Sequence, residues 1–225
     1  MIAAAVLVLG ALSPAAEARH FRRRLEDMRK RTRGVARYGE YRVRNRTLAN
    51  GARVKLIKHL DSHGEKIASS IAVFGPKGGQ LRERLKLRCP VEAGSAERAA
   101  QVWSIHLRLT RSPRKMPTAA AAAVDLARRK IYYGKSGKPR PVRTAKLLLE
   151  RSPNPSLESW AVNNCSEYKA VNKALLSGSR IQDLEVHTVR VSSGRPFPRC
   201  RNCQVTTAGA AVTSDQGQAP ISWSE

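Results

Sequence analysis

The chain has 225 residues, a formal net charge of +25 and 5% aromatic residues. This length suffices for one domain with a hydrophobic core, with or without an appendage, and the composition predicts a core rich in Ala, Val and Leu. Four cysteines are too few for a secreted scaffold held together by disulfides. The charge attracts polyanions such as nucleic acid, although arginine-rich coding produces the same excess without any binding site.

Residues 1–18 form a signal-like or truncated hydrophobic segment. An apolar run there is followed by the triplet Ala16-Glu17-Ala18, which resembles a cleavage site, but no basic residue precedes the run. The run is too short to cross a bilayer as a helix, and no other stretch is apolar enough to do so. We therefore expect an atypical signal peptide or an internal start within a longer protein, and no stable membrane insertion.

Residues 19–116 are a basic region whose fold the sequence leaves uncertain, with a linker at its end. The first 116 residues hold 26 Lys and Arg against 9 Asp and Glu. The arginine-rich segment 19–46 fits a basic helix or a disordered arm. The elements expected further along are strands at 54–57 and 67–74, a helix at 95–109, and a proline-broken linker at 111–117.

Residues 117–225 alternate between strand and helix patterns. The predicted elements are a hairpin at 119–134, a helix at 141–150, a helix at 164–176, a strand at 184–191, one helical turn near 200, and a short strand at 210–213. Asn163 or Asn164 could cap the second helix, and Gly178 ends it. This order predicts an α/β fold, in which helices pack on a mixed sheet.

Two cysteine motifs lie in this second region. Cys165 and Glu167 stand where a helix is predicted to begin, and Cys200 and Cys203 follow a proline some thirty residues later. Nucleobase deaminases carry H-x-E followed by P-C-x-x-C, in which three His or Cys ligands hold zinc. Cys165 takes the His position here, so a Zn²⁺ ion would have three thiolate ligands and an open fourth position.

Glu167 is the predicted catalytic residue. Zinc makes hydroxide available near neutral pH, and this hydroxide attacks the ring carbon that bears the amino group. Glu167 is the only acidic residue in either motif, so it would move the protons without binding the metal. Residues i and i+2 of a regular helix point to different sides. Cys165 can therefore meet Glu167 only at the helix N-terminus, which also favours the thiolate.

Asn164 and Trp160 are the candidate substrate-binding residues. A tryptophan can stack on a base, and a side-chain amide can hydrogen-bond to one. Each also has a structural interpretation, because asparagine commonly caps helices and tryptophan commonly belongs to a core. Further candidates are Lys169, Arg199 and Arg201 for phosphates and Phe197 for stacking.

The paired cysteines have two other interpretations. A closed structural zinc site would need a fourth ligand, for which His187 is the nearest candidate in sequence. A thioredoxin-like redox pair would share the C-x-x-C spacing, but no strand–helix unit of the expected kind introduces it. The upstream Cys165 and Glu167 favour the deaminase interpretation over both.

Taken together, the segment around Cys165 and Glu167, the helix that continues through residues 170–175, and the P-R-C-R-N-C segment at 198–203 resemble the YwqJ-type deaminases. These belong to the cytidine-deaminase-like superfamily and occur as C-terminal toxin domains of bacterial polymorphic toxins. The resemblance covers residues 117–215. It implies a central sheet with a zinc-binding helix pair and hydrolysis of a C–N bond of a base, cytosine rather than adenine.

The resemblance also implies a cognate immunity protein as partner, and secretion or delivery into the cytoplasm of a target cell. Two alternatives stay open. One is a catalytically inactive, zinc-stabilised module that binds nucleic acid, which the retained Glu167 disfavours. The other is an enzyme for free nucleosides, which the long basic region disfavours.

Overall fold

A computed structural model of the chain describes residues 41–61, 64–88, 90–138 and 143–215, all of which belong to one compact unit. The predictions for residues 1–40 and 216–225 lie outside these ranges. Within them the strands are β1 Tyr41–Thr47, β2 Arg53–Leu60, β3 Lys66–Phe74, β4 Gln80–Leu87, β5 Ala119–Asp125, β6 Lys130–Lys135, β7 Leu184–Arg190 and β8 Ala211–Val212. The helices are α1 Ser95–Thr110, α2 Lys146–Arg151, α3 Ser166–Leu176 and α4 Arg201–Thr206.

The first sheet is an antiparallel meander in the order β1-β2-β3-β4. Polar and apolar residues alternate along these strands, so one face is buried and the other is open. The strands β2 and β3 confirm the predicted ones. The part of the basic segment that is described here, residues 41–46, was expected to be a helix or a disordered arm, and that prediction is wrong. It forms β1, because its Tyr and Val alternate with Arg.

The second sheet has the order β6-β5-β7-β8, antiparallel except for the parallel pair β7–β8. The hairpin β5–β6 turns at Asp125, whose carboxylate accepts the Arg128 N–H at 2.8 Å. The element order from β5 to β8 confirms the predicted alternation. The chain therefore has a mixed α/β architecture with two sheets, and its described helices all lie from residue 95 onward.

The strand β5 forms the centre of the packing, because its side chains are small. Ala120 and Ala122 face α1, whereas Ala121 and Ala123 face α3 on the other side. The other side of α1 contacts the first sheet, where Val102 packs against Ile67 and other apolar residues of that sheet. The layers therefore follow the order first sheet, α1, second sheet, α3.

The helix α1 is anchored by a buried carboxylate. Glu185 of β7 is 4% exposed and accepts the N–H groups of Gly94 at 2.8 Å and of Ala96 at 3.1 Å. N–H groups at the N-terminus of a helix have no backbone acceptor within the helix, so the carboxylate of Glu185 supplies one. Gly94 itself has a φ of 83°, which favours glycine. The helix preceding residue 117 thus packs on the sheet that follows it, while the division of the chain into domains stays a prediction.

A half-buried carboxylate joins the two sheets. Glu83 of β4 bonds to Arg111 at 2.6 Å, to Lys135 of β6 at 3.3 Å and to His106 at 3.4 Å. Burial opposes its ionisation, but the hydrogen bond from His106 and the charges of Lys135 and Arg111 hold the pKa of Glu83 well below its usual range. In the described part of the chain, no helix is both long enough and apolar enough to cross a membrane.

Candidate metal centre

Three cysteines converge where two helices begin. Cys165 is the N-cap residue of α3, Cys200 is the N-cap residue of α4, and Cys203 lies in the first turn of α4. The sulfurs of Cys165 and Cys200 are 3.3 Å apart, and all three sulfurs lie within 4.8 Å of one another. Cys165 and Cys203 are buried and Cys200 is half-buried. The two sequence motifs therefore form one cluster.

The local backbone favours a negative sulfur at Cys200. Thiols of Cys165 and Cys203 and the backbone N–H groups of Cys203 and Asn202 donate hydrogen bonds to it, and these lower the pKa of Cys200 despite its partial burial. The same hydrogen bonds raise the pKa of the other two thiols, which act as the donors. Amides at a helix N-terminus stabilise anions in this way. The cluster is thus built to hold negative sulfur.

A close approach between β6 and α3 positions the first motif. A Cβ added at Gly134 would lie 1.9 Å from the Ser166 carbonyl oxygen and 2.8 Å from the Ala170 nitrogen. Only glycine leaves room for the helix backbone at this distance. Ser166 stands between Cys165 and Glu167, so the contact at Gly134 determines how close both residues lie to the second sheet.

The second motif is held by the loop that precedes the first. Asn202 is fully buried; its Oδ1 accepts the Leu157 N–H at 2.9 Å and its amide donates to the Ser156 hydroxyl at 3.0 Å. Glu158 accepts the Arg201 N–H at 2.9 Å, in the first turn of α4. The loop at 156–158 therefore fixes the N-terminus of α4, and with it Cys200 and Cys203.

Glu167 lies in the first turn of α3, is 4% exposed, and accepts a hydrogen bond from the Ser166 hydroxyl at 3.0 Å. Burial raises the pKa of the Glu167 carboxyl to about 7, and the negative Cys200 adds to this effect. Hydrogen bonds from its own backbone N–H and from Ser166 oppose the rise. A carboxyl that titrates near neutrality can both take up and release a proton, as a general acid–base group must.

Thr188 is a neighbour of Glu167 that belongs to neither sequence motif. Its hydroxyl lowers the pKa of Glu167, so it lies close to the carboxyl. Thr188 is fully buried, and among the described residues Oγ1 has no partner at regular hydrogen-bonding geometry. The period of two along β7 could have found it, because Leu184, Val186 and Thr188 share the face that packs on α3.

His187 lies on the other face of β7. Its neighbours Glu185 and Val189 on the strand face α1, and its Nδ1 meets the Thr213 hydroxyl at 2.8 Å. Burial lowers the pKa of His187. Among the described residues, the group of potential metal ligands contains the three cysteines and no histidine. The structure therefore does not bring His187 to the cluster.

The predicted substrate-binding residues have structural contacts. Asn164 ends a 3₁₀ turn at Val162–Asn164 and accepts the Gly137 N–H at its side-chain oxygen at 3.1 Å. It does not cap α3, because Cys165 occupies that position, so the predicted asparagine cap is wrong. Trp160 is 42% exposed, and its carbonyl accepts a hydrogen bond from the Ser156 hydroxyl. A role in substrate binding stays a prediction for both.

The cations near the cysteines are also engaged. Arg199 forms a salt bridge with Asp215 at 2.7 Å, and Lys169 donates to the Gly137 carbonyl at 2.8 Å. The ring of Phe197 is covered by the Arg190 guanidinium, 4.4 Å from its centroid. These groups shape the loops around the cluster, which a sequence motif alone does not reveal.

The donor set fits a zinc ion. Sulfurs bound to one tetrahedral zinc lie about 3.8 Å apart, since each Zn–S bond is about 2.3 Å long. The observed spacing, 3.3 Å for one pair and 4.8 Å at most, brackets that value. Three protein ligands leave a fourth position open, as catalytic zinc sites do. The cluster could therefore hold a metal ion such as zinc through Cys165, Cys200 and Cys203.

A comparison of the chain with family models, curated proteins and solved structures found no match.

Proposed function

We propose that the chain is a zinc-dependent deaminase that hydrolyses the exocyclic C–N bond of a nucleobase. The observation that carries this proposal is the placement of Glu167, a buried carboxyl with a pKa of about 7 beside three convergent cysteines. A purely structural zinc site needs no such group. The resemblance of residues 117–215 to YwqJ-type deaminases favours the cytidine-deaminase-like fold for the second sheet and its helices.

The reaction adds water to the ring carbon that bears the amino group and releases ammonia. Zinc, when bound by the three cysteines, supplies Lewis-acid chemistry that makes water nucleophilic near neutral pH. Glu167 takes the proton from the attacking water and delivers it to the ring nitrogen. The hydroxyl added to the ring carbon then gives its proton to the same carboxyl, which passes it to the departing amine. The hydroxyl becomes a carbonyl as the C–N bond breaks and ammonia leaves, so charge is balanced.

Thr188 and Ser166 assist Glu167 in this proposal. The Ser166 hydroxyl donates to one carboxylate oxygen and so orients the group. The Thr188 hydroxyl is buried nearby without a partner of regular geometry, and it can donate to whichever oxygen carries negative charge. Burial of the carboxyl excludes bulk water, which strengthens these interactions.

The substrate we propose is cytosine rather than adenine, presented by a single-stranded or flipped-out nucleic acid. A base inside a duplex cannot reach a buried carboxyl. The net charge of +25 favours a polymer over a free nucleoside. Because residues 117–215 resemble YwqJ-type deaminases, we also propose that the domain acts as a toxin that is secreted or delivered into a target cell. Its partner would be an immunity protein.

The test compares Glu167→Gln with Glu150→Gln in the zinc-loaded full chain. Glu150 is an exposed carboxylate of α2 that pairs with Lys146 at 3.7 Å, so its replacement is a matched control. We expect Glu167→Gln to keep its zinc and its thermal stability but to lose at least about a hundredfold in deamination rate, because proton transfer contributes about that much. The control should retain full activity.

The substrates are cytosine-containing and adenine-containing oligonucleotides and free cytidine. Loss of activity in Glu167→Gln with zinc retained supports the proposal. A wild-type protein that binds zinc but converts none of these substrates would favour the inactive binding module. Conversion of cytidine alone would favour the free-nucleoside enzyme, and conversion of adenine alone would change the base.

A further inference from the structure

The first sheet has one face that no described element covers. Its other face packs on α1 through Ile67, Ala68 and apolar residues of β4. Because neighbouring strands are in register, residues paired across the sheet share a face. The open face can therefore be read directly from the strand pairing.

Three rows cross this open face, and each row has a cation at both ends. The first runs Arg42, Lys58, Ser69, Lys86, the second Arg44, Leu56, Ile71, Arg84, and the third Arg46, Val54, Val73, Arg82. All seven cations are exposed. The rows place three positive charges along each edge strand, and the two lines of charge are about 14 Å apart across three strand spacings.

Within the four strands, no acidic residue lies on the open face. Glu83 is the only acidic residue of the four strands, and it faces α1, where it bonds to Arg111 and His106. Among the described residues, none of the seven cations has an ion pair. At one end of the sheet, partial desolvation and the charges of Arg88 and Lys58 lower the pKa of Lys66. Positive charge is therefore concentrated on the open face of the first sheet.

Protection of sheet edges does not account for this arrangement. Charged residues on edge strands prevent pairing with other chains, which would explain cations on β1 and β4. It does not explain Lys58 on the inner strand β2, nor the lack of an acidic residue at the strand positions that form the face. Edge protection works equally well with mixed charges.

The charge of the face also decides which partner fits it. Residues 1–40 hold nine Arg and Lys against four Asp and Glu, so they do not complement the face. A second copy of the chain would present the same positive charge. The inner part of the face is formed by the partly buried side chains of Val54, Leu56, Ile71 and Val73, without an aromatic ring for stacking bases. The partner that fits this face is therefore a polyanion recognised through its charges.

We propose that the open face of the first sheet binds the phosphate backbone of nucleic acid, without reading its base sequence. Lines of exposed cations at strand spacing contact successive phosphates, and the counterions that these phosphates release drive the binding. The face is separated from the three cysteines by α1 and the second sheet. It is thus a second site, and the proposal does not rest on deaminase activity.

The test measures fluorescence anisotropy of labelled oligonucleotides, single-stranded and duplex, with the full chain at salt concentrations between about 50 and 200 mM. The face variant is Arg44→Gln, Arg46→Gln and Arg84→Gln. The control variant is Arg114→Gln, Lys115→Gln and Lys130→Gln, which removes three exposed cations elsewhere. Both variants lose the same charge, so they separate a site from general attraction.

For a duplex, we expect the slope of log K against log salt to become shallower by about 2.7 in the face variant, or about 2.1 for a single strand. The control should keep the wild-type slope within about 0.5. Should the triple variant fail to give a wild-type thermal transition, Arg44→Gln and Arg84→Gln are measured singly, with an expected change of about 0.9 each on a duplex.

Equal weakening in both variants would overturn the proposal, as would the absence of binding by the wild type at low salt. Binding to phosphatidylserine vesicles but not to oligonucleotides would assign the face to membranes instead. The same titration with Glu167→Gln should give wild-type affinity. Oligonucleotide binding without deamination would refute the proposed function and leave this inference intact, and deamination without face-dependent binding would do the reverse.

Discussion

The contact between Gly134 and α3 can be tested with a single methyl group. In Gly134→Ala, the new Cβ would lie 1.9 Å from the Ser166 oxygen and 2.8 Å from the Ala170 nitrogen, although real Cβ atoms keep at least 3.0 Å. Both neighbours are backbone atoms, so no side chain can rotate away. The helix must withdraw by about 1 Å, and such overpacking costs about 1–3 kcal/mol.

A cost of about 3 kcal/mol lowers the midpoint of thermal unfolding by about 6–12 °C in a chain of this size. We also expect weaker zinc binding, because the displaced Ser166 carries Cys165 and Glu167 with it. Differential scanning fluorimetry and a zinc titration against a chromogenic chelator measure the two effects. Gly79→Ala is the matched control, since its Cβ would meet nothing within 4 Å.

A Gly134→Ala variant that unfolded at the same temperature as Gly79→Ala and bound zinc equally well would refute this role of Gly134. A lower midpoint with unchanged zinc affinity would mean that α3 shifts while Cys165 at its N-terminus keeps its position. Because Gly134 does not have a positive φ, backbone strain does not contribute, and the comparison isolates the close approach.

Three further predictions concern the metal, the α1 anchor and a buried histidine. Cys200→Ser should lower zinc content, measured by mass spectrometry, from one ion per chain to a small fraction. The control is Cys89→Ser, which replaces the one cysteine of the sequence that lies outside both motifs and should leave the zinc content unchanged. Equal loss in both variants would refute the assignment. Glu185→Ala should reduce the free energy of unfolding in urea by about 1–3 kcal/mol, because the N–H groups of Gly94 and of the buried Ala96 lose their acceptor. Glu150→Ala should change it by less than about 0.5 kcal/mol. Burial and the charge of His106 lower the pKa of His59 to about 3. Between pH 6.5 and that value, only the unfolded state binds a proton at His59, so the free energy of unfolding decreases as the pH is lowered. The stability difference between wild type and His59→Gln should therefore shrink toward lower pH, approaching about 1.4 kcal/mol per pH unit; a difference independent of pH would contradict this.

The second half of the fold could be predicted from its sequence because local signals agree there. Turn residues separate the strands β5 and β6, Gly178 ends α3, and the two cysteine motifs have a spacing with a known chemical meaning. The convergence of Cys165, Cys200 and Cys203 follows from these motifs, and the structure bears it out. Glu167 follows from the same pattern, and its catalytic role stays a prediction.

The first sheet could not be predicted as well. Its edge strands β1 and β4 carry a cation at every second position, and such a pattern also fits a basic arm when the hydrophobic partners are not known. The role of Glu185 could not be predicted either. A carboxylate within a strand is expected to face solvent unless the helix whose N-terminal N–H groups it binds is known. Such residues depend on contacts between segments about 90 positions apart, which a local pattern does not encode.

The alanines of β5 leave little side-chain volume between α1 and α3 along this strand. A strand that projects only methyl groups on both sides has no side chain to absorb a shift of either helix, since close-packed interiors transmit strain. A change in the position of α1 would therefore be felt at the N-terminus of α3. Enlarging Ala120 or Ala122 would push on the α1 side, and enlarging Ala121 or Ala123 on the α3 side. The strand β5 thus links the position of α1 mechanically to the N-terminus of α3, where Cys165 lies.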